Sequence, residues 1–329
     1  MSNAAKILII RFSSMGDIVL TTPVIRRLKQ QLDGDIEIHF LTKKNFANLL
    51  EPNPYIAKVH AIDKSVQEVM PELLKEEFHY VIDLHSNIRS RIVKRRLKKL
   101  NFTFKKLNVK KWLLVNFGWN LMPEKHIVDR YLDALHAFGT TDDGQGLDYF
   151  YPENFEANLQ LPNHYTAFAI GGAHIGKRME AEKLIEIISQ IPGQIVLLGG
   201  KEDVETANKI AASLPDVING VGQWSIHQSA YASEHADLVI TGDTGLMHIA
   251  SAFGKNIISL WGCTTPSLGM YPYRPGNLSV IVEPHGRKKR PCSKLGNKCK
   301  YGNDNRCIQA ISVEEVVAAA KNILNQTKP

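Results

Sequence analysis

The sequence predicts an α/β protein built from two Rossmann-like domains, and three observations carry the prediction. Short apolar, β-rich runs alternate with amphipathic helical stretches along the chain. A polar, proline-bearing stretch interrupts the alternation near the middle, and a glycine-containing turn follows the first strand of each half. The chain has 329 residues, too many for one ordinary doubly wound core and comfortable for two domains of about 150 residues. A composition of 44% hydrophobic and 22% charged residues supports a sizeable core and excludes a disordered chain.

In the first half, residues 6–11, 35–41, 58–62 and 80–84 read as strands, with amphipathic segments such as 18–32 between them. The second half repeats the scheme, with strands at 166–170, 194–198, 238–241 and 256–260 and helices at 180–191, 203–214, 227–236 and 245–253. Both halves are expected to hold parallel sheets. Residues 148–164 are polar, contain Pro152 and Pro162 and show no sustained period, so they read as the linker. The expected domains are 1–155 and 156–329, forming a cleft between the carboxyl ends of two sheets, where open α/β folds bind ligands. A final helix at 312–325 opens with Ser312 ahead of Glu314 and Glu315, and the choice between its own domain and a return to the first is left open.

The net charge of +7 is concentrated: residues 89–111 hold eleven basic side chains and no acidic one, leaving 7 − 11 = −4 for the remainder. Such a segment, from Arg89 to Lys111, is either a solvated basic face or a contact for a polyanion. Its interleaved Phe102, Phe104 and Trp112 favour the cytoplasmic face of the inner membrane, with a second basic stretch at 287–290. No recognised nucleic-acid motif accompanies it, and no nucleic acid is expected as a partner. No run approaches the roughly 18 apolar residues of a membrane span, and the first residues are too short and polar for a secretory signal. The expectation is a cytoplasmic protein, peripheral at the inner membrane.

Three turns carry candidate chemistry. Ser13-Ser14-Met15-Gly16-Asp17 lies between the first strand and a helix, where glycine lets a ligand approach the backbone and Asp17 is placed either as a general base or as a helix cap. The absence of Gly-x-Gly-x-x-Gly argues against a nicotinamide enzyme. Gly171-Gly172-Ala173-His174-Ile175-Gly176-Lys177-Arg178 resembles a phosphate cradle: small residues expose backbone N–H groups and Lys177 adds a point charge. A structural glycine turn is the alternative. Thr241-Gly242-Asp243-Thr244-Gly245-Leu246-Met247-His248 has hydroxyls and glycines at a helix start, suited to phosphate, with Asp243 available to a ribose or sugar hydroxyl. A plain capping pair is the alternative there.

The four cysteines are Cys263, Cys292, Cys299 and Cys307. Their spacing is not that of paired Cys-x₂-Cys zinc ribbons, and a metal would need Cys263 or a histidine such as His285 as its fourth ligand. Reduced thiols, a structural metal and a disulfide all stay open.

Taken together the motifs resemble glycosyltransferase family nine, the lipopolysaccharide heptosyltransferases. The resemblance rests on Ser13 to Asp17, Asp83-Leu84-His85 with Arg89, Asp129-Arg130-Tyr131, Lys177-Arg178, Gly199-Gly200 and Asp243 to His248. It departs at Met179, where relatives often carry Trp, and at His85, where they often carry Gln. The resemblance implies the two-domain GT-B architecture, with acceptor bound by the first domain and nucleotide-sugar donor by the second. It implies that Asp17 is the catalytic base, with Ser14, Met15 and Gly16 beside it on the acceptor side. Lys177 would contact the donor diphosphate, with Gly171, Gly172, Asp243, Thr244, Gly245 and His248 lining the donor pocket and Asp203 holding the ribose. Arg11, Arg89 and Arg130 are candidates for acceptor phosphates or carboxylates.

The implied reaction is a single inverting displacement that moves heptose from ADP-heptose to the phosphorylated glycolipid of the lipopolysaccharide inner core. No cofactor and no catalytic divalent metal are expected, since no Asp-x-Asp motif stands at a strand end near these turns. The alternatives are a nucleotide-sugar epimerase of the same architecture, a transferase using another nucleotide sugar, and a non-catalytic nucleotide-binding protein.

Overall fold

In the computed structural model, residues 4–172, 174–286, 290–300 and 305–327 are described. The basic residues 287–289 lie outside them. The contacts divide the chain into two units: Met1–Lys106 with Lys125–Phe155, and Leu107–Glu124 with Glu156–Pro329. The exchange of 107–124 has no counterpart in the division drawn from sequence. That excursion contributes one buried hydrophobic side chain, Leu114, while Val109, Trp112, Phe117, Trp119 and Leu121 are all more than half exposed.

The first unit comprises β1 (Ala5–Ile10), α1 (Met15–Val19), α2 (Thr22–Gln31), β2 (Ile36–Lys43), β3 (Lys58–Ile62), α3 (Met70–Lys75), β4 (Tyr80–Asp83), α4 (Ile88–Leu97) and β5 (Leu100–Thr103). After α5 (Asn108–Phe117), in the excursion, comes α6 (Ile127–Leu132). The sheet order is β3-β2-β1-β4-β5, all parallel, with Ile9 opposite Phe40 and Ile82. Ile7 to Ile10 are wholly buried, because helices cover both faces of a parallel sheet and an unbroken apolar strand is what such a position requires.

The single helix expected at 18–32 is two. Pro23 stands in the first turn of α2, where its fixed φ and missing N–H cost nothing, and it starts a helix there instead of continuing α1. Within α2, Arg26, 1% exposed, is held 2.9 Å from Asp143 and 2.5 Å from Asp148, both near the end of this unit.

The second unit comprises β6 (Tyr165–Ala169), α7 (Ala181–Ile188), β7 (Gln194–Leu198), α8 (Val204–Ser213), β8 (Ile218–Asn219), α9 (Ile226–Glu234), β9 (Leu238–Gly242), α10 (Gly245–Ala252), β10 (Ile257–Leu260), β11 (Val280–Val282), α11 (Arg306–Gln309) and α12 (Val313–Thr327). The order is β11-β10-β9-β6-β7-β8, again all parallel. The last helix stays with its own unit: Val316, Ala320 and Ile323 share a core with Ile258, Leu260 and Val282.

Strand order reverses between β1 and β4 in the first sheet and between β6 and β9 in the second. These are the topological switch points, where the loops diverge and leave a crevice at the carboxyl ends of the strands. All three chemistry-bearing turns follow switch-point strands.

Candidate functional site

At the first switch point β1 runs into Arg11, whose amide donates to the Leu41 carbonyl as the strand ends. The chain turns through Ser13 and Ser14 and enters α1, which places Asp17 in the first helical turn, where a carboxylate complements the helix dipole. One carboxylate oxygen lies 2.6 Å from Arg11 Nη2. The other accepts the Ser14 amide at 3.0 Å and the Ser14 hydroxyl at 2.8 Å.

Burial alone would push the Asp17 carboxyl up. The Arg11 charge and the two Ser14 hydrogen bonds outweigh it and hold the carboxyl below its ordinary value. Asp17 is therefore ionised at neutral pH and in the form a proton acceptor needs.

Arg11 is fixed in turn. It is 8% exposed, and its Nε donates to the Ser13 carbonyl at 2.8 Å. Its Nη1 donates to the Leu84 carbonyl at 2.6 Å and the Tyr131 hydroxyl at 2.9 Å. With four partners already made, Arg11 is the counter-ion and orienter of Asp17.

Beside it, Asp83 at the end of β4 accepts the amides of His85 and Ser86 at 3.0 and 2.7 Å and pairs with Lys94 at 2.9 Å, so it shapes the turn. Burial first, then the charges of Arg11 and Lys106, pull His85 down to about 4. The ring, edge-on to Phe12 at 5.2 Å, is neutral at pH 7.

At the second switch point the turns after β6 and β9 meet. Lys177 Nζ lies 2.7 Å from the Asp243 carboxylate and donates to the Asp243 carbonyl at 2.9 Å, and Thr264 Oγ1 donates to the same carboxylate at 3.0 Å. Thr244 precedes α10 as its N-cap but makes no side-chain cap; its hydroxyl instead meets Thr241 Oγ1 at 3.1 Å. The first-turn amides of α10, which begin at Gly245, are left uncapped by Thr244, and a helix start with open N–H groups beside a lysine is an anion site. His248 is buried on the same helix, 2% exposed.

Gly171 and Gly172 are needed for close approach. A Cβ on Gly171 would stand 2.2 Å from an Asp203 carboxylate oxygen and one on Gly172 3.1 Å from Lys177 Cβ. Asp203 is 4% exposed, and its carboxylate accepts the Gly200 amide at 2.9 Å. Arg178 donates to the Gly172 carbonyl at 2.7 Å and lies 3.8 Å from Asp203. Burial raises the Asp203 carboxyl against those hydrogen bonds and the Arg178 charge. Asp203 thus clips the turns after β6 and β7 together and faces inward. Glu202, next to it, is the exposed carboxylate of this turn.

Of the remaining acceptor candidates, Ser14 is exposed, Met15 half-buried and Gly16 buried. Arg89 is exposed on the first turn of α4. Arg130 is 4% exposed and donates to the Lys105 carbonyl at 2.6 Å, while its Nε and Nη1 have no hydrogen-bond partner among the described residues. Residue reasoning missed Thr264 on Asp243, and it quoted Tyr131 and Thr241 without the places they take, behind Arg11 and beside Thr244. Thr264 and Thr241 carry the usual signal, a hydroxyl at a strand's carboxyl end.

Comparison with known proteins places these features in a family. The family model described as glycosyltransferase family 9 (heptosyltransferase) matches residues 66–300. Lipopolysaccharide heptosyltransferase 1 of Campylobacter coli is 25% identical, the alignment covering 97% of this chain and 98% of that protein. A family 9 glycosyltransferase from Veillonella parvula superposes with a TM-score of 0.75 at 20% identity over 99% of each chain. An E. coli heptosyltransferase solved with ADP superposes with a TM-score of 0.68 at 20% identity, over 98% of this chain and all of that one (100%). These whole-chain superpositions establish a shared fold.

Proposed function

Because the chain belongs to glycosyltransferase family 9 (heptosyltransferase), we propose that it transfers heptose from ADP-heptose to the inner core of lipopolysaccharide by one inverting displacement, with Asp17 as base. The observation that carries the reading is the ionised Asp17 carboxylate, held by Arg11 and Ser14 at the switch point and still 18% exposed. An acceptor hydroxyl there gives its proton to Asp17 as its oxygen attacks the anomeric carbon. The bond from that carbon to the diphosphate breaks, and ADP leaves with the electron pair. Neutral His85 is available to the acceptor as a hydrogen-bond partner without adding charge beside Asp17.

On the donor side, Lys177 and the α10 amides meet the charge that grows on the leaving diphosphate. Diphosphate binding shares Lys177 with Asp243. Thr244 and Gly245 line the phosphates, and Glu202 supplies the carboxylate for the ribose that Asp203 does not. ADP as the nucleotide is supported by the ADP-bound E. coli protein of the same fold and by the curated heptosyltransferase relatives. Arg89 and Arg130 are the cations offered to acceptor anions.

The reaction needs no divalent ion at the phosphates, because Lys177 and the helix start supply the positive charge. No helix among the described residues is long and apolar enough to cross a membrane. Contact with an anionic leaflet would come from the exposed basic face of α4 and, separately, from the exposed Val109, Trp112 and Phe117 of α5.

Calorimetry with ADP, UDP and GDP, followed by transfer from ADP-heptose to heptose-free lipopolysaccharide, tests the reading. Selective ADP binding and heptosylated product are expected; preference for UDP or GDP overturns the donor. Transfer should survive EDTA, and loss of activity restored by magnesium would overturn metal independence.

A further inference from the structure

The segment between β11 and α11 contains no helix or strand among its described residues. Its single leucine, Leu295, is 57% exposed and contributes nothing to a core. What is buried instead is sulfur: Cys292 and Cys307, 5% and 1% exposed, meet Cys263 at 2% and the half-buried Cys299 in a cluster made of cysteines alone. All four are free thiols. His285, the other fourth ligand weighed from sequence, is turned to solvent and pairs with Glu315 at 3.1 Å. The fold therefore supplies the fourth residue from the end of β10, 29 positions upstream of Cys292.

We propose that Cys263, Cys292, Cys299 and Cys307 form a tetrathiolate site for one thiophilic divalent cation, zinc or ferrous iron, which fastens this loop against the turn that carries Lys177. Four reduced thiols give such a loop little, since a thiol is a small hydrophobe and a weak hydrogen-bond donor. Four thiolates around one cation fold a segment that has no core of its own.

The electrostatics suit it. Residues 290–307 carry Arg290, Lys294, Lys298, Lys300 and Arg306 against one acid, Asp304, and a divalent ion with four thiolates is a dianion. Two of the ligand-bearing backbones are already pinned, and binding would draw the sulfurs inward, since no three of them lie within 4.8 Å of one another. Cys292 donates its amide to the Cys263 carbonyl at 2.8 Å, and Arg290 donates to the carbonyls of Trp261, Gly262 and Thr264 at 2.9, 2.5 and 2.7 Å.

The connection to Lys177 is direct. Cys263 Sγ donates to the Gly176 carbonyl at 2.9 Å, a bond that coordination replaces, and the Gly176 amide donates to the Gly296 carbonyl at 3.2 Å. A Cβ on Gly176 would fall 1.7 Å from Cys263 Sγ, and one on Gly296 3.1 Å from Lys177 Cγ. The effect on donor binding rests on the reading of Lys177 given above; the metal site does not.

Metal analysis of the full chain, purified without oxygen from zinc- and iron-supplemented medium, should return about one zinc or iron per chain. Cobalt(II) added to the stripped protein should produce a thiolate-to-cobalt charge-transfer band, and zinc should raise its melting temperature. Cys299→Ser, at the least buried position, should lose the band and the zinc-induced shift while keeping the parent's far-ultraviolet dichroism. A parent that takes up neither zinc nor cobalt with four titratable thiols, or that carries disulfides by mass spectrometry, overturns the site. If zinc binds and ADP affinity is the same with and without it, the coupling to Lys177 fails and the site stands. If ADP binds in neither state, the Lys177 reading fails and metal content still decides the site.

Discussion

The two switch-point crevices are built on the same plan and hold opposite charges for use. Each places the residue that follows a strand in an ion pair: Arg11 after β1 with Asp17 in the first unit, and Asp243 after β9 with Lys177 from the neighbouring turn in the second. In the first, the arginine is enclosed by the Ser13 and Leu84 carbonyls and the Tyr131 hydroxyl, and the carboxylate is the partner left on the helix start. In the second, the carboxylate is engaged by Thr264 as well as the lysine, and a helix with uncapped amides begins beside them. What the crevice offers a ligand is set by which partner the surrounding hydrogen bonds enclose. On the proposed reading, one turn presents a base and the other a place for an anion.

Exchanging or removing one partner at a time should break this contrast in graded ways. Asp17→Asn should lower kcat by about 10²–10⁴-fold while ADP binds as before, measured as product formation beside calorimetry. A variant that transfers normally would remove Asp17 from the chemistry. Lys177→Ala should weaken ADP by about 10- to 100-fold, the span of a hydrogen bond to a charged group, and leave the pH profile of the remaining activity unchanged.

Arg11→Gln sharpens the comparison, because burial then acts on Asp17 without its main counterweight. Asp17 now titrates below the ordinary carboxylate range, so its ionisation stabilises the folded state above the unfolded pKa, and that contribution disappears as pH falls through the folded value. The acid limb of kcat/KM should sit correspondingly low and move up by about 1–3 units in the variant. A limb that stays put would mean Arg11 does not set the base.

Asp203→Asn should cost about 1–3 kcal/mol of stability by denaturant titration, since one buried acceptor loses charge and geometry together. It should lower ADP affinity less than Lys177→Ala does. The smallest expected effect is at the basic face of α4: Arg95→Gln and Arg96→Gln should each weaken binding to anionic vesicles by about fivefold, corresponding to about 1 kcal/mol per residue. Neutral vesicles are the control.

Interior strands were legible because burial on both faces leaves an unmistakable apolar run, as in Ile7 to Ile10 and Val196 to Leu198. Three strands escaped notice, β5, β8 and β11, and each lies at the edge of its sheet with four, two and three residues. An edge strand is paired on one side only, and at two to four residues it carries too little pattern to be read, whereas the five-residue edge strand β3 was legible. The Asp17 and Lys177 turns stood out because a strand, a glycine and a helix in succession form a recognisable context.

The inward placement of Asp203 was not legible for a different reason. Three acids crowd Glu202 to Glu205, and the turn's hydrogen bonds, which sequence does not display, decide which one faces inward. The enclosure of Arg11 was hidden similarly, since an arginine at a strand end has the same letter whether it meets a ligand or a neighbour. The cysteines required the fold itself, because Cys263 joins the others only through the return of the chain past β10.

Arg26 has a consequence for how the molecule can be dissected. Its guanidinium is enclosed in α2, and the acids that match it, Asp143 and Asp148, arrive only at the last stretch of the first unit. A first unit cut before Asp142 keeps every strand of its sheet but strands a buried cation, whereas one ending at Phe155 carries its own seal. The crossing of the chain from one unit to the next is thus marked by charge closure, and an exchange of units between relatives would have to carry the pair of aspartates along with the helix they lock.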